Sequence, residues 1–274
     1  MTNRLSIAAF PLRPACLLVP LLWVGLHAGE NPAVVNLGSA ENFAVLAGSG
    51  ITVAGSVGST LIIGDIGSYP TPAETGLENV VLIGTDQGGD AVTQLAKSDL
   101  LGAFDDAAGR SSDETLSELG GLDLDAGVYT ASSSLDLTGV LTLDGQDNSN
   151  AVFIFQVGSA LTTASYSSVA LINGAQANNI FWEIGSSATL GSYSDFDGNI
   201  LAADSITLGT YATVNGRLLA LTGAVTIDGH DSITEIVSAS DAGMATLLLG
   251  LVSFGSLFGL RASGNFRLCP APAA

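Results

Sequence analysis

Positive charge is scarce in this 274-residue chain: seven Lys and Arg stand against 26 Asp and Glu, for a formal net charge of −19. Every acidic residue lies between Glu30 and Asp241, a span whose only basic residues are Lys97, Arg110 and Arg217. Such a surface repels nucleic acid and anionic membrane and offers phosphates no basic patch. Cysteine is nearly missing too. Cys16 and Cys269 sit near the two ends, so the body of the chain has no disulfide, thiolate nucleophile or cysteine metal site. Histidine is limited to His27 and His230, and no Gly-X-Ser-X-Gly motif supplies an activated serine. Acid pairs exist, Asp105 with Asp106 and Asp195 with Asp197, and carboxylates can do acid–base work on glycosides. A polysaccharide lyase, however, would want a Lys or Arg base in its cleft. The segment "GTDQGGDA" (84–91) has some likeness to a Gly-Asp calcium turn, but it occurs once and leads into a helix, where Asp90 serves more simply as the N-cap. The expectation is a protein that is not an enzyme and uses no metal or cofactor.

What is present is apolar and small. Hydrophobic residues make up 47% of the chain, charged residues only 12%, and Gly numbers 34, which excludes disorder and favours a β-rich fold with many turns. The length suffices to bury a sizeable core. Both ends read as processing signals. Arg4 and Arg13, the apolar run "ACLLVPLLWVGL" (15–26) and small residues near Ala28 predict a secretory leader over 1–28. Pro20 interrupts a run already short for a membrane anchor. At the other end, "MATLLLGLVSFGSLFGL" (244–260) is uncharged and followed by Arg261, barely long enough to span a bilayer. With "SDAG" (240–243) before it, the segment 239–274 resembles the bacterial C-terminal sorting signals read by exosortase-type systems, with Ser240 where those signals carry Pro. Such a tail would be cleaved or would tie the chain to a membrane. The body, 29–238, is then the mature domain, secreted or held at the cell surface.

Within the body, "NFAVLAGSGITVAGSVGSTLIIGDIGSYP" (42–70) alternates short β-branched runs with Gly turns, and "YPTPAET" (69–75) reads as a loop because of its two prolines. The period then changes. Val92, Leu95, Ala96, Leu101, Phe104 and Ala108 recur at helical spacing, which predicts one long helix over about 89–109 with those residues as its buried stripe. After 122 the chain repeats itself. "LTLDGQ", "LTTASY", "ATLGSY", "ITLGTY" and "VTIDGH" align on Thr142, Thr162, Thr189, Thr207 and Thr226, at intervals of 20, 27, 18 and 19 residues. A self-similar unit near 20 residues built of strands and turns is a solenoid signature. In "ITL" and "VTI" the flanking apolar pair points inward, so the Thr faces out, and neighbouring coils place these Thr residues ~4.8 Å apart in a column.

Several separate motifs then occur in order: "LGSAENFAVLAGSGIT", "GDIGSYP", the helix ending in "DAAGR", "GVYTASSSLDLTGVLTLDGQDNSNAVFIFQVGSALTTAS", "NNIFWEIGSSATLG" and "GAVTID". Together they resemble the large ice-binding protein family of bacteria, fungi and diatoms, over roughly 34–236. The resemblance implies a mainly β fold: a discontinuous right-handed β-solenoid (β-helix) of triangular section with one long α-helix packed alongside. It also implies that the N-terminal strands and the coils after 122 join one stack, and that the partner is an ice crystal surface, met by a single chain through a flat face. The family's Thr-Ala/Gly-X-Thr/Asn motif falls on Ser165-Tyr166-Ser167-Ser168, Ser192-Tyr193-Ser194-Asp195 and Thr210-Tyr211-Ala212-Thr213, with Tyr where the motif has a small residue.

Ice offers no charge, only a lattice of water, so a surface that recognises it should be flat, rigid and mildly polar. Thr brings a hydroxyl and a methyl on a stiff β-branched side chain, and a sheet fixes the spacing before binding. Two candidate sets follow. One is the column Thr142, Thr162, Thr189, Thr207 and Thr226; the other is the hydroxyls around the Tyr residues, Ser165, Ser167, Ser192, Ser194, Thr210 and Thr213. Tyr166, Tyr193 and Tyr211, with His230 as a fourth, suit either an aromatic stack sealing a corner or a sugar-binding strip. An exported adhesin or matrix module on the same fold, without strong ice affinity, is the alternative function.

Overall fold

A computed structural model describes residues 31–235. The expected leader over 1–28 and the tail over 239–274 fall outside the described residues, and no helix among those described is long and apolar enough to cross a membrane. The chain winds into parallel coils with three faces. One face is built from Phe43–Ala47, Asp65–Ser68, Gly127–Ala131, Phe153–Val157 and Ile180–Ile184, with the second halves of Asp195–Ala202 and Thr213–Ala220. The second is a seven-stranded sheet of three-residue strands, Leu135–Leu137, Leu161–Thr163, Ala188–Leu190, Ile206–Leu208, Val225–Ile227 and Ile51–Val53, ending in the two-residue Glu74–Thr75. The third runs through Asp123–Asp125, Val140–Asp144 and Ser168–Ile172, then the first halves of the two long strands, then Ser232–Thr234, Thr60–Ile63 and Val80–Ile83. Apolar residues at alternate positions meet inside. The short strands read buried–outward–buried because Leu161, Ala188, Leu190, Ile206, Leu208, Val225 and Ile227 turn into one core.

The stack is discontinuous in sequence. Val45 and Leu46 pair with Leu218 and Leu219, Ile51–Val53 with Val225–Ile227, and Ser232–Thr234 with Leu61–Ile63. The two N-terminal coils therefore sit on top of the last C-terminal one. Arg217, 2% exposed, spans the joint: it donates from Nε to the Glu41 carbonyl (2.7 Å), from Nη1 to Asn199 Oδ1 (2.9 Å) and from Nη2 to Glu235 Oε1 (3.4 Å). The two long strands turn from the third face to the first at glycines. At Gly216 (φ 155°) an added Cβ would lie 2.0 Å from the Gly198 carbonyl oxygen of the coil beneath, so no side chain fits there.

A helix, α1 (Ala91–Ala108), carries the chain back along the outside of the first face. Its 18 residues span about 27 Å, five to six coils at ~4.8 Å. It begins where Asp90 accepts from the amides of Val92 (2.8 Å) and Thr93 (3.0 Å). Its buried stripe corrects the sequence expectation. Thr93, Ala96, Leu100, Ala103 and Ala107 face the sheet, while Val92, Leu95 and Leu101 are exposed and Phe104 is half-buried. The sheet supplies the bulk (Phe43, Leu46, Ile154, Phe181, Leu201 and Leu219 point outward at the helix), so small residues on the helix let the two approach closely. Three polar clips hold the seat. Ser39 donates from its amide (2.8 Å) and hydroxyl (2.5 Å) to Asp99, which holds that carboxyl below its ordinary range. The Lys97 ammonium reaches the carbonyls of Ala220 and Leu221. Gln156 donates to the Ala107 (2.9 Å) and Arg110 (2.8 Å) carbonyls at the helix end.

Leu100 is fully buried in this interface. Leu100→Ala should lower unfolding stability by about 3 kcal/mol through lost burial and a cavity the sheet cannot refill, measured by denaturant unfolding; a change under ~1 kcal/mol would show that the helix is not a packed part of the domain. Burial also raises several carboxyls: Glu183 to about 7, Glu74 to about 7 with Asp86 contributing, Asp197 and Asp231 to about 6. A raised acid favours the protonated folded state, so its contribution is complete below its unfolded pKa and is lost as pH rises through the folded value. The thermal midpoint should therefore be higher at pH 5 than at pH 8, and Glu183→Gln should flatten that dependence.

Candidate functional site

The second face is the most regular surface of the molecule. Its central rank is Asp136, Thr162, Thr189, Thr207, Thr226, Thr52 and Thr75, each paired in parallel register with the next. Thr162, Thr189, Thr52 and Thr75 are exposed and Thr207 and Thr226 half-exposed. The flanking ranks are small. On one side, Ser187, Ser205, Ala224 and Gly50 accept in turn from the amides of Leu161, Ala188, Ile206 and Val225. On the other, Ala164, Gly191, Gly209, Asp228 and Ala54 follow the strands. With side chains no longer than a methyl or hydroxymethyl on either side, apart from Asp228, the Thr residues stand on a flat field. Their β-branched side chains have few rotamers, and the sheet beneath is packed on an apolar core.

Thr142 does not belong to this column. It lies in Val140–Asp144 on the third face, where it pairs with Ala170 and with Asp123. The coil's true counterpart of Thr162 is Asp136, six residues earlier in "LDL". The motif "LTLDGQ" copied the pattern of the others, but the coil makes its second-face strand before that motif and turns the corner in two residues, Thr138 and Gly139. Thr52 and Thr75 extend the column where sequence reasoning did not place them. "ITV" at 51–53 carries the same apolar–Thr–apolar signal as "ITL"; Thr75, after two prolines in a stretch read as a loop, carries none.

The second candidate set divides by alternation. Ser165 is exposed, Ser192 and Thr210 half-exposed, and Thr213 exposed beside Asp195 on the third face. Ser167 and Ser194 are each 2% exposed and turn inward. The Ser167 hydroxyl donates to the Ala164 carbonyl (2.7 Å), and the Ser194 Oγ is buried without a partner. Both fill the corner position that Ala212 and Asp231 occupy in the next coils, so neither side chain meets a ligand on the surface. Asp231 accepts there from the amides of Ala212 (2.7 Å) and Gly229 (2.9 Å).

Between them, Tyr166, Tyr193, Tyr211 and His230 stack in one column at the corner, each with φ between 60° and 65°. A second aromatic column lies inside the core: Tyr129, Phe155, Trp182 and Phe196, at centroid separations of 5.4, 4.0 and 5.0 Å. Sequence reasoning missed it; "VYT", "IFQ" and "FWE" hold it one residue per coil. The third face is less uniform, with Asp195, Asp197, Asn215 and Thr213 at its middle and Leu61, Ile63 and Val81 toward one end. Among the described residues no group of three or more His, Cys, Asp or Glu could hold a metal ion.

Fold and surface together define a parallel β-solenoid with a helix along one face and a flat, hydroxyl-bearing sheet on another. The chain matches the family described as Ice-binding-like over residues 45–233, and it belongs to that family. An ice-binding protein of Nostoc sp. (strain HG1) is 42% identical over 237 residues, covering 82% of this chain and 86% of the relative. One from Flavobacterium frigoris (strain PS1) is 38% identical, covering 66% of this chain and 70% of the relative. The crystal structure of an ice-binding protein from the Antarctic ascomycete Antarctomyces psychrotrophicus superposes with a TM-score of 0.71 at 37% identity, over 75% of this chain and 100% of that one.

Proposed function

We propose that this chain is an exported protein that adsorbs to ice through the threonine face and so restrains ice growth and recrystallisation. The observation that carries this is the unbroken run of six Thr, from Thr162 through Thr52 to Thr75, one per coil and in register. Each hydroxyl can hold one ordered water while the neighbouring methyl limits where the next can sit. The spacing is set by backbone pairing before contact, so little ordering remains to be done at binding. Adsorption would sum many weak contacts over a flat area, and no catalytic step is involved. Asp136 closes one end of the rank with a charge, which holds water in a geometry unlike ice and would limit the contact to the coils beyond it.

The purified protein should show modest thermal hysteresis and inhibit ice recrystallisation. Thr189→Tyr with Thr207→Tyr should reduce both by more than half, and more than Thr→Ser at the same sites, because Tyr breaks the flatness as well as removing a methyl. An active wild type whose activity survives Thr189→Tyr/Thr207→Tyr would move the contact to another face. A folded wild type without any effect on ice would favour an envelope or matrix module. Export predicts a mature N-terminus within 28–31; N-terminal sequencing of secreted material that still begins at Met1 would reject it.

A further inference from the structure

We propose that the corner column Tyr166–Tyr193–Tyr211–His230 is a second water-ordering rank that carries the ice contact around the edge of the threonine face; this rests on the threonine face being the adsorbing surface. The rings stack at centroid separations of 4.9, 4.9 and 4.8 Å with interplanar angles of 2°, 11° and 19°. That is the coil spacing itself, so the column has the period of the Thr rank, from which each ring is four residues away (Thr162 and Tyr166, Thr189 and Tyr193, Thr207 and Tyr211, Thr226 and His230). All four residues hold left-handed backbone, a region bulky side chains avoid and glycine or asparagine enters easily. Repeating so unfavourable a choice in successive coils points to a use for the rings.

The geometry narrows that use. A sugar strip needs open ring faces, and here the faces between successive rings are taken by their neighbours. What remains outward is a line of ring edges and phenol oxygens, with Tyr166 73%, Tyr193 48% and Tyr211 46% exposed. None of these three hydroxyls has a protein hydrogen-bond partner among the described residues. Each can donate one hydrogen bond to water and accept others. Rings stacked this closely leave no gap for water between them, so water meets a dry ridge carrying one hydroxyl per coil. A lone surface Tyr would lose side-chain freedom on adsorbing; a stacked one has already lost it. The ridge thus repeats what Thr offers, a hydroxyl beside an apolar surface at fixed spacing, on a surface at an angle to the first.

The test replaces Tyr166, Tyr193 and Tyr211 together by Phe, which keeps the stack and removes the hydroxyls. Thermal hysteresis, recrystallisation inhibition and the unfolding midpoint are read together, with the planes decorated on an ice hemisphere by fluorescently labelled protein. The expected result is a loss of at least half the hysteresis and decoration of fewer planes at an unchanged midpoint. Tyr193→Asn with Tyr211→Asn, residues suited to the left-handed corner, should lose as much while remaining folded. Full activity with unchanged planes in the Phe variant would overturn the proposal and leave the column as corner packing. If Thr189→Tyr/Thr207→Tyr abolishes activity in the same assay, that failure belongs to the ridge alone. A wild type inactive on ice would overturn both.

Discussion

Everything in this molecule hangs on parallel backbone pairing between coils. Each coil contributes a few residues to each face, and strands of three residues have no stability apart from their neighbours. The critical joint is the one the chain does not cover by continuity, where residues 43–63 lie on residues 213–234. There two segments distant in sequence must find the same register as coils joined by a short turn. Arg217 is placed to enforce it, because one buried guanidinium is bonded to the Glu41 carbonyl below the first strand, to Asn199 in the coil before and to Glu235 after the last. A buried cation tolerates this only with its donors occupied. Losing the arrangement would expose two solenoid ends and detach the helix, whose Lys97 holds carbonyls of the same coil.

Much of this was legible in the residues, for local reasons. The outward Thr of "LTT", "ATL", "ITL" and "VTI" followed from alternation alone, and α1 ended within two residues of the expected bounds because Asp90 caps it and Gly109 follows it. The failures are also physical. Thr142 matches the column by motif, but register is set by turn length, and one coil turns its corner two residues sooner than the next. The helix stripe differs from the one that spacing predicts because size does not decide burial here. Against a sheet already crowded with Phe and Leu, the buried choice is Ala, and the larger Val92, Leu95 and Leu101 are left outside. Ser167 and Ser194 read as surface hydroxyls in the sequence, where nothing tells that a left-handed Tyr before each of them throws the next side chain inward.

Charge is rationed by position in the same way. The few basic residues between Glu30 and Asp241 are all engaged: Lys97 under the helix, Arg217 at the joint, and Arg110 paired with Asp106 at 2.7 Å on the helix end. The acids are spread over the other surfaces, among them Asp195 and Asp197 on the third face and Asp105 and Asp106 on α1, and their self-repulsion keeps molecules apart. From Thr162 to Thr75 the central rank of the second face carries none. An uncharged rank on a strongly acidic molecule is not what solubility alone would produce.

The three faces are therefore chemically distinct though built by one winding rule. The first is apolar inside and presents aliphatic and aromatic residues to α1 outside, with Gln156 and Arg217 as polar contacts; the third is mixed, with carboxylates, amides and aliphatic residues sharing its ranks. Only the second repeats one small polar residue at one spacing, and only its corner toward the third repeats one aromatic. The regularity on those two lines is not required by the core, which accepts Ala, Val, Ile or Leu at the inward positions and aligns them equally well. Inward positions vary while outward ones stay fixed, the reverse of what a solvated face under no constraint would show. That inversion supports the proposal that the threonine rank and the ridge beside it face ice, where the solenoid's backbone spacing is converted into a spacing of hydroxyls.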